Sequence, residues 1–165
     1  MKIKLIIFTL LFVHQLSAQD YVKSYGVRGG VSSGFSFQLF KDDIKALQAN
    51  LSFRDNGMQA TAIIQTYRPY LWKGKDNLYI YSGLGAHVGF TNKERAYFNI
   101  SSNYTEVTNR FRPVVGVDAM FGLEYRVYTF PLAVTLDFKP FVEVFGEHFF
   151  RVNFWDFALG VKYTL

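Results

Sequence analysis

Apolar and polar residues alternate along eight stretches of the chain, and the charged residues fall almost entirely on one of the two alternating sets. Between residues 132 and 144, one set is apolar and the other carries Asp137, Lys139 and Glu143. Successive side chains of a strand point to opposite faces of a sheet, so each stretch predicts a strand with one uncharged face. This pattern is typical of a transmembrane β-barrel, which is apolar toward lipid and polar toward its lumen.

The alternation predicts an all-β fold, an eight-stranded antiparallel up-and-down transmembrane β-barrel with a filled polar lumen. One long strand over residues 24–39 is the alternative for the first hairpin, and the even strand number of bacterial barrels favours two strands. Residues 91–112 and 146–153 are predicted as loops, and Pro140 predicts a bulge because proline cannot donate a ladder hydrogen bond. The predicted strands cover residues 24–30, 35–39, 47–54, 58–67, 78–90, 115–126, 132–144 and 155–165.

The N-terminus carries the pattern of an export signal. Lys2 and Lys4 precede an apolar run over residues 5–13, and Leu16-Ser17-Ala18 supplies small residues for cleavage. The run is too short to span a bilayer as a helix. We therefore expect a signal peptide over residues 1–18, and a barrel domain over 19–165 that is exported to the bacterial outer membrane. The chain has no cysteine, which excludes disulfides, thiolate metal sites and a cysteine-linked lipid anchor.

The charge balance argues against nucleic acid as a partner. Without Lys2 and Lys4, the 18 basic residues fall to 16, against 13 acidic residues. The basic residues are scattered, whereas nucleic-acid binding usually needs a clustered basic footprint. The high aromatic content, 19% of the chain, instead suits a protein built of strands.

A soluble barrel of the lipocalin type would alternate as well, with an apolar interior, so the placement of charge decides which set faces inward. The polar set holds five basic and five acidic residues, Asp156 among them, together with several glycines. A soluble exterior would show more Lys and Glu and fewer glycines, whereas balanced charges suit a narrow lumen in which each finds a partner. We expect a structural charge network there that fixes the barrel register, formed by Arg28, Arg54, His87, Asp118, Glu124, Arg126, Asp137, Lys139, Glu143 and Lys162.

Aromatic residues near the predicted strand ends suggest the girdles that flank the apolar band of such barrels. The residues assigned to the girdles are Tyr67, Tyr70, Trp72, Tyr79, Trp155 and Tyr163.

Four short motifs give the chain a family resemblance. They are Tyr25-Gly26-Val27-Arg28-Gly29-Gly30, Gly83-Leu84-Gly85-Ala86-His87-Val88-Gly89, Phe121-Gly122-Leu123-Glu124-Tyr125 and Leu136-Asp137-Phe138-Lys139-Pro140. Over its mature part the chain resembles the small outer-membrane β-barrel proteins of Bacteroidetes-type Gram-negative bacteria. The resemblance implies an exported barrel without a catalytic signature, inserted by the barrel-assembly machinery. Such barrels usually end in an aromatic residue that this machinery reads, and here Leu165 stands at that place.

His87 is the main candidate for chemistry, since Asp118 is expected one strand away. A proton relay or a metal site is conceivable, but no HxH or HExxH spacing supports a metal, and a structural, hydrogen-bonded histidine is favoured. We predict no catalytic residue and no cofactor. A lipid A-modifying hydrolase that uses Ser101, Ser102 or His148 is one alternative, although nothing in their spacing demands a triad. A narrow pore is the other.

The predicted loop 91–112 is the candidate binding surface, because it combines charged and aromatic residues and loops often carry function on rigid scaffolds. A loop that contacts only solvent or lipopolysaccharide is the alternative. The expected partners are outer-membrane lipids and lipopolysaccharide, and the sequence identifies no specific extracellular partner. The candidate surface residues are Lys93, Arg95, Tyr97, Phe98, Tyr104 and Arg110.

Overall fold

The computed structural model of the chain describes residues 22–54, 56–70, 77–99, 104–127, 129–144 and 150–165, with the backbone alone for 93–99 and 104–110. The described residues form strands and turns, and no helix among them is long and apolar enough to cross a membrane. The predicted signal peptide lies outside the described residues. The strands are β1 (Lys23–Gly30), β2 (Ser33–Asp42), β3 (Lys45–Arg54), β4 (Gly57–Pro69), β5 (Leu78–Asn99), β6 (Tyr104–Val127), β7 (Leu132–Phe138), β8 (Phe141–Val144), β9 (Phe150–Asn153) and β10 (Phe157–Thr164).

Eight of these strands close into an antiparallel barrel. Strands β1 to β7 pair in sequence order, β7 pairs with β10, and β10 returns to β1. Val27 of β1 lies opposite Phe35 of β2, so the first hairpin consists of two strands and not of one long strand. The predicted eight-stranded antiparallel barrel is confirmed. We call the end that holds Lys23 and Leu165 the terminal end, and the opposite end the hairpin end.

Strands β8 and β9 lie beyond this ring, where β7 is interrupted at Lys139 and Pro140. Strands β7 and β8 pair with successive parts of β6 in one unbroken register. The carbonyl of Pro140 still accepts the N–H of Ala119 at 2.9 Å, so the proline removes a donor without inserting a residue. The bulge predicted at Pro140 is therefore wrong.

The bulge lies on the neighbouring strand. Asn153 of β9 opposes Phe141 and Phe157 of β10 opposes Phe138, which leaves one extra residue on the β9–β10 side. Phe154 and Trp155 are both exposed, at 61% and 74%, because the extra residue breaks the inside–outside alternation.

The two predicted loops are partly strands. Residues 91–99 and 104–112 continue β5 and β6 as a paired hairpin, and β9 occupies residues 150–153. Neither alternating set of residues 91–112 is uniformly apolar, so the sequence did not indicate strands there. Residues 150–153 do alternate, with Phe150 and Val152 exposed on one face, but the pattern covers only four residues. Residues 100–103 and 145–149 lie outside the described part of the chain.

The barrel is polar inside and apolar outside. A small apolar cluster crosses the interior toward the terminal end, and Phe40 and Tyr79 pack against it. Tyr67, predicted in a girdle, is 1% exposed and belongs to this cluster, because its position in β4 falls on the inward set. The cluster consists of Ala46, Ile63, Tyr67, Tyr81 and Met120. The other girdle residue that packs inward is Tyr79, whereas Trp72 lies outside the described residues.

Candidate functional site: the charged interior and the β5–β6 ribbon

Strand alternation places all ten residues of the predicted charge network inside the barrel. None of them is more than 8% exposed, and Asp156 joins them at 0%. Charged residues are almost never this deeply buried unless they are paired. The interior therefore holds five basic and five acidic side chains together with His87, and these side chains form two connected groups.

The first group, toward the hairpin end, is organised by His87. Its Nδ1 lies 2.7 Å from Oδ2 of Asp118, and its Nε2 lies 3.6 Å from Oε2 of Glu143. Arg54 donates to the same Glu143 oxygen at 2.6 Å, and Arg151 lies 3.4 Å from the other oxygen. Two carboxylates thus contact the two nitrogens of one imidazole ring, and two guanidinium groups contact Glu143.

Two further cations extend this group around the wall of the barrel. Lys139 Nζ lies 3.5 Å from both Asp118 and Asp156, while Arg28 lies 3.6 Å from both Asp137 and Asp156. The Ser32 hydroxyl donates to Asp156 at 2.7 Å. Each cation is shared between Asp156, which lies between β9 and β10, and an acid of β6 or β7, so the ion pairs cross-link the wall.

The second group lies toward the terminal end and centres on Glu124. This carboxylate accepts from Arg126 at 2.9 Å and from the Tyr67 hydroxyl at 3.1 Å, and it lies 3.5 Å from Lys162 Nζ. Lys162 also donates to Gln38 at 2.9 Å. A single carboxylate therefore joins side chains from three strands, β4, β6 and β10.

Tyr81 links the two groups. Its ring stacks on Tyr67, with the centroids 4.8 Å apart, and its hydroxyl donates to Asp137. A continuous series of contacts thus runs from Glu124 through the stacked rings of Tyr67 and Tyr81 to Asp137 and Arg28. Sequence reasoning missed Tyr67 and Tyr81, although both fall on the inward sets of their strands.

Two glycines leave room for the side-chain rings of His87 and Tyr81 inside the barrel. His87 lies opposite Gly116 and Tyr81 lies opposite Gly122 in the β5–β6 register. A Cβ atom on Gly122 would overlap the tyrosine ring, and one on Gly116 would overlap the imidazole. The positions of these two glycines on the polar set are therefore a packing requirement.

Between Arg54 and the apolar cluster, the inner wall formed by β3 and β4 is neutral and polar. Among the described residues, the Asn50 amide nitrogen and the polar side-chain atoms of Ser52, Gln59 and Thr61 have no hydrogen-bond partner. The described part of the chain contains no group of three or more His, Asp or Glu side chains placed to hold a metal ion. His87 and Asp118 are 1% and 2% exposed, so a substrate would reach them only if the barrel opened.

The second candidate site is the part of the β5–β6 hairpin beyond Phe90 and Pro113. Here nine residue pairs, from Thr91 with Arg112 to Asn99 with Tyr104, join the two strands. We call this segment the ribbon. Neither of its strands has another strand neighbour among the described residues.

The six candidate surface residues lie in the paired strands of the ribbon, where the structure describes the backbone alone. They are Lys93, Arg95, Tyr97, Phe98, Tyr104 and Arg110. Ser101, Ser102 and His148, considered for a hydrolase, lie outside the described residues.

The fold and the site define an eight-stranded antiparallel β-barrel with acidic and basic side chains inside and an apolar exterior. No family model matches the chain, and no curated protein matches it.

Proposed function

We propose that the protein is a non-enzymatic, integral outer-membrane β-barrel protein of the small Gram-negative type that its motifs resemble. It would be exported by a cleaved signal peptide and inserted by the barrel-assembly machinery, with outer-membrane lipids and lipopolysaccharide around it. The barrel anchors the chain, and the ribbon presents a surface for interaction or for stabilising the envelope.

The observation that carries this proposal is the inverted polarity of the barrel. Leu84, Ile64, Leu159 and Val117 are between 61% and 72% exposed on the outward faces of four strands. A soluble protein rarely exposes contiguous apolar patches larger than a few hundred Å². Surrounding hydrocarbon removes this surface from water, at about 25 cal/mol for each Å².

The interior favours an anchor over a channel or an enzyme. An eight-stranded barrel is just wide enough for its side chains to fill it. Here the five acidic and five basic residues each have an opposite charge within 3.6 Å. Removing one partner of a buried ion pair typically costs about 3–5 kcal/mol, so the pairs hold the interior closed.

A lipid A-modifying enzyme is the main alternative, and the His87–Asp118 pair is the feature that could supply acid–base chemistry for it. The rings of Phe141 and His87 are perpendicular with their centroids 5.6 Å apart, and the Arg54 guanidinium lies 4.4 Å from the Phe141 centroid. The pair is thus covered rather than open to a lipid. Mass spectrometry of lipid A, from cells with and without the protein, tests this: a change in its acylation or phosphorylation would contradict the non-enzymatic proposal.

Trp155 provides a direct test of the membrane assignment. In the mature chain carrying Trp72→Phe, Trp155 is the remaining tryptophan, and it is 74% exposed on the outward side. We expect its fluorescence to be quenched by vesicles with brominated acyl chains and protected from iodide in the buffer. A mature chain that stays monomeric in buffer without any amphiphile, with Trp155 quenched by iodide, would overturn the proposal.

A further inference from the structure

The inner wall formed by β2, β3 and β4 has two halves that differ in their hydrogen bonding. Toward the terminal end, the Gln38 amide donates to Gln65 at 3.0 Å and to the Tyr67 hydroxyl at 2.6 Å. Toward the hairpin end, beyond Ile63, side chains of similar kind have polar atoms without a hydrogen-bond partner among the described residues. We call these residues the polar wall; they are Asn50, Ser52, Gln59 and Thr61.

The side chains of the polar wall are deeply buried, since each residue is at most 4% exposed. Asn50 accepts from Gln48 at 2.8 Å, but its own amide nitrogen bonds to no described group, and neither amide atom of Gln59 is bonded. An unsatisfied buried donor or acceptor costs free energy, and buried polar groups nearly always bond to protein or to ordered water. The polar wall therefore requires a partner inside the barrel.

The register groups the unpartnered atoms in one patch. Asn50 lies directly opposite Thr61, and Thr61 lies directly opposite His87, whose Nε2 also has no hydrogen bond. Ser52 lies directly opposite Gln59 in the next inward row. The Cβ atoms of directly opposite residues are about 5 Å apart, which suits a small molecule that hydrogen-bonds to both side chains.

The chemistry of this patch indicates the class of molecule that it binds. Amide nitrogens donate, the Gln59 carbonyl oxygen accepts, and the two hydroxyl groups do both. An anion would need donors alone, and a cation would need acceptors alone. The charged interior already pairs five acidic with five basic residues, so no charge is left for an ion to balance. Water, which both donates and accepts, fits this mixture.

The patch is bounded on both sides. Ile63 follows Thr61 on the inward face of β4, is 0% exposed and belongs to the apolar cluster. On the other side, Arg54 follows Ser52 on the inward face of β3 and donates to Glu143. Water molecules between these limits form no path through the barrel, because the apolar cluster separates them from the terminal end.

We infer that the polar wall is a binding site for a cluster of ordered water molecules, which hydrogen-bond its four side chains and Nε2 of His87. Globular proteins hold about one buried water for every 27 residues, and each makes about three hydrogen bonds to groups that are otherwise unsatisfied. This site depends on the interior alone, so it is independent of the membrane assignment, which the quenching of Trp155 tests separately.

Water-edited solid-state NMR of the mature protein in zwitterionic bilayers measures how fast magnetisation passes from water to each side-chain amide. Gln65 is the matched control for Gln59, because both lie on the inward face of β4 and are 0% and 3% exposed. We expect transfer to the Gln59 and Asn50 amides to be about threefold faster than to Gln65, since bound water contacts them directly. Transfer as slow at Gln59 as at Gln65 would overturn the inference. Equally fast transfer at all three amides would also overturn it, because it would indicate general hydration of the interior.

The double variant Gln59→Leu/Thr61→Val removes polar atoms of the site while it nearly keeps the side-chain shapes. It should slow the transfer to the Asn50 amide to the level of Gln65 and keep the unfolding midpoint close to that of the wild type, because the removed groups have no protein partner. The control Gln65→Leu removes an acceptor of the Gln38 amide, so it should lower the midpoint and leave the transfer to Asn50 unchanged.

Unchanged transfer to Asn50 in the double variant would contradict the assigned site. Circular dichroism shows whether each variant folds. The single variant Thr61→Val, which changes the residue directly opposite Asn50, gives the same measurement if the double variant does not fold.

Discussion

The ring of Tyr81 occupies the space directly over Gly122, its partner across the β5–β6 pairing. From this position the Tyr81 hydroxyl reaches Asp137, and the ring stacks on Tyr67. The absence of a side chain at position 122 thus allows the contact that joins the two charged groups of the interior.

Gly122→Ala should destabilise the barrel, because the added methyl group forces the buried Tyr81 ring out of its place. Overpacking of this kind typically costs about 1–3 kcal/mol. Gly29→Ala is the control, since a Cβ atom there would lie 4.0 Å from its nearest neighbour, the carbonyl oxygen of Leu159. Guanidinium unfolding in detergent micelles measures both, and equal stabilities would show that the Tyr81–Gly122 contact is unimportant.

Asp137→Ala should lower the free energy of unfolding by about 3–5 kcal/mol. The change removes the acceptor of the Tyr81 hydroxyl and one of the two acids beside Arg28. Asp156 then remains as the acid that pairs with the Arg28 guanidinium. The control is Asp42→Ala, because Asp42 is exposed at the end of β2. An Asp137→Ala protein as stable as the wild type would reject the structural role of the charge network.

Leu84→Arg distinguishes a lipid-facing surface from a water-facing one. Leu84 is 72% exposed near the middle of the barrel segment of β5. An outward arginine at the bilayer midplane costs about 2–4 kcal/mol, and one near the interface costs about 0–1 kcal/mol. In lipid vesicles, Leu84→Arg should therefore be clearly less stable than Leu39→Arg, which lies near the terminal end of β2. Two variants of unchanged stability would indicate an exterior in water.

The wild-type protein should give no sustained conductance in planar bilayers, because its side chains fill the interior. Tyr67 and Tyr81 are each 1% exposed across the barrel, so Tyr67→Ala/Tyr81→Ala should open a small conducting path. Tyr25→Ala/Tyr163→Ala removes two tyrosines that contact each other outside the charged interior, with Tyr25 52% exposed, and should remain silent. Sustained steps from the wild type would contradict the closed interior.

Much of the architecture could be predicted from the sequence, because the pleat of a strand is local. Each charged residue of β6 and β7 falls on the inward set through its position alone, as with Asp118 and Asp137. The hairpin over residues 91–112 was predicted as a loop because neither of its alternating sets is uniformly apolar, and the sequence does not show the backbone pairing of its strands. The bulge was predicted at Pro140 for a related reason. The sequence shows that Pro140 lacks a backbone N–H, but the position of the extra residue depends on how β9 and β10 pair with β8 and β7.

The sequence by itself determined which residues share a face, since that depends on the spacing of neighbours along one strand. The tertiary structure alone decided which residues meet. His87 meets Glu143, and Arg28 meets Asp137 and Asp156, because the closed barrel brings together segments that are distant along the chain. These contacts depend on how all eight strands pair around the ring, and no local pattern of residues encodes that pairing.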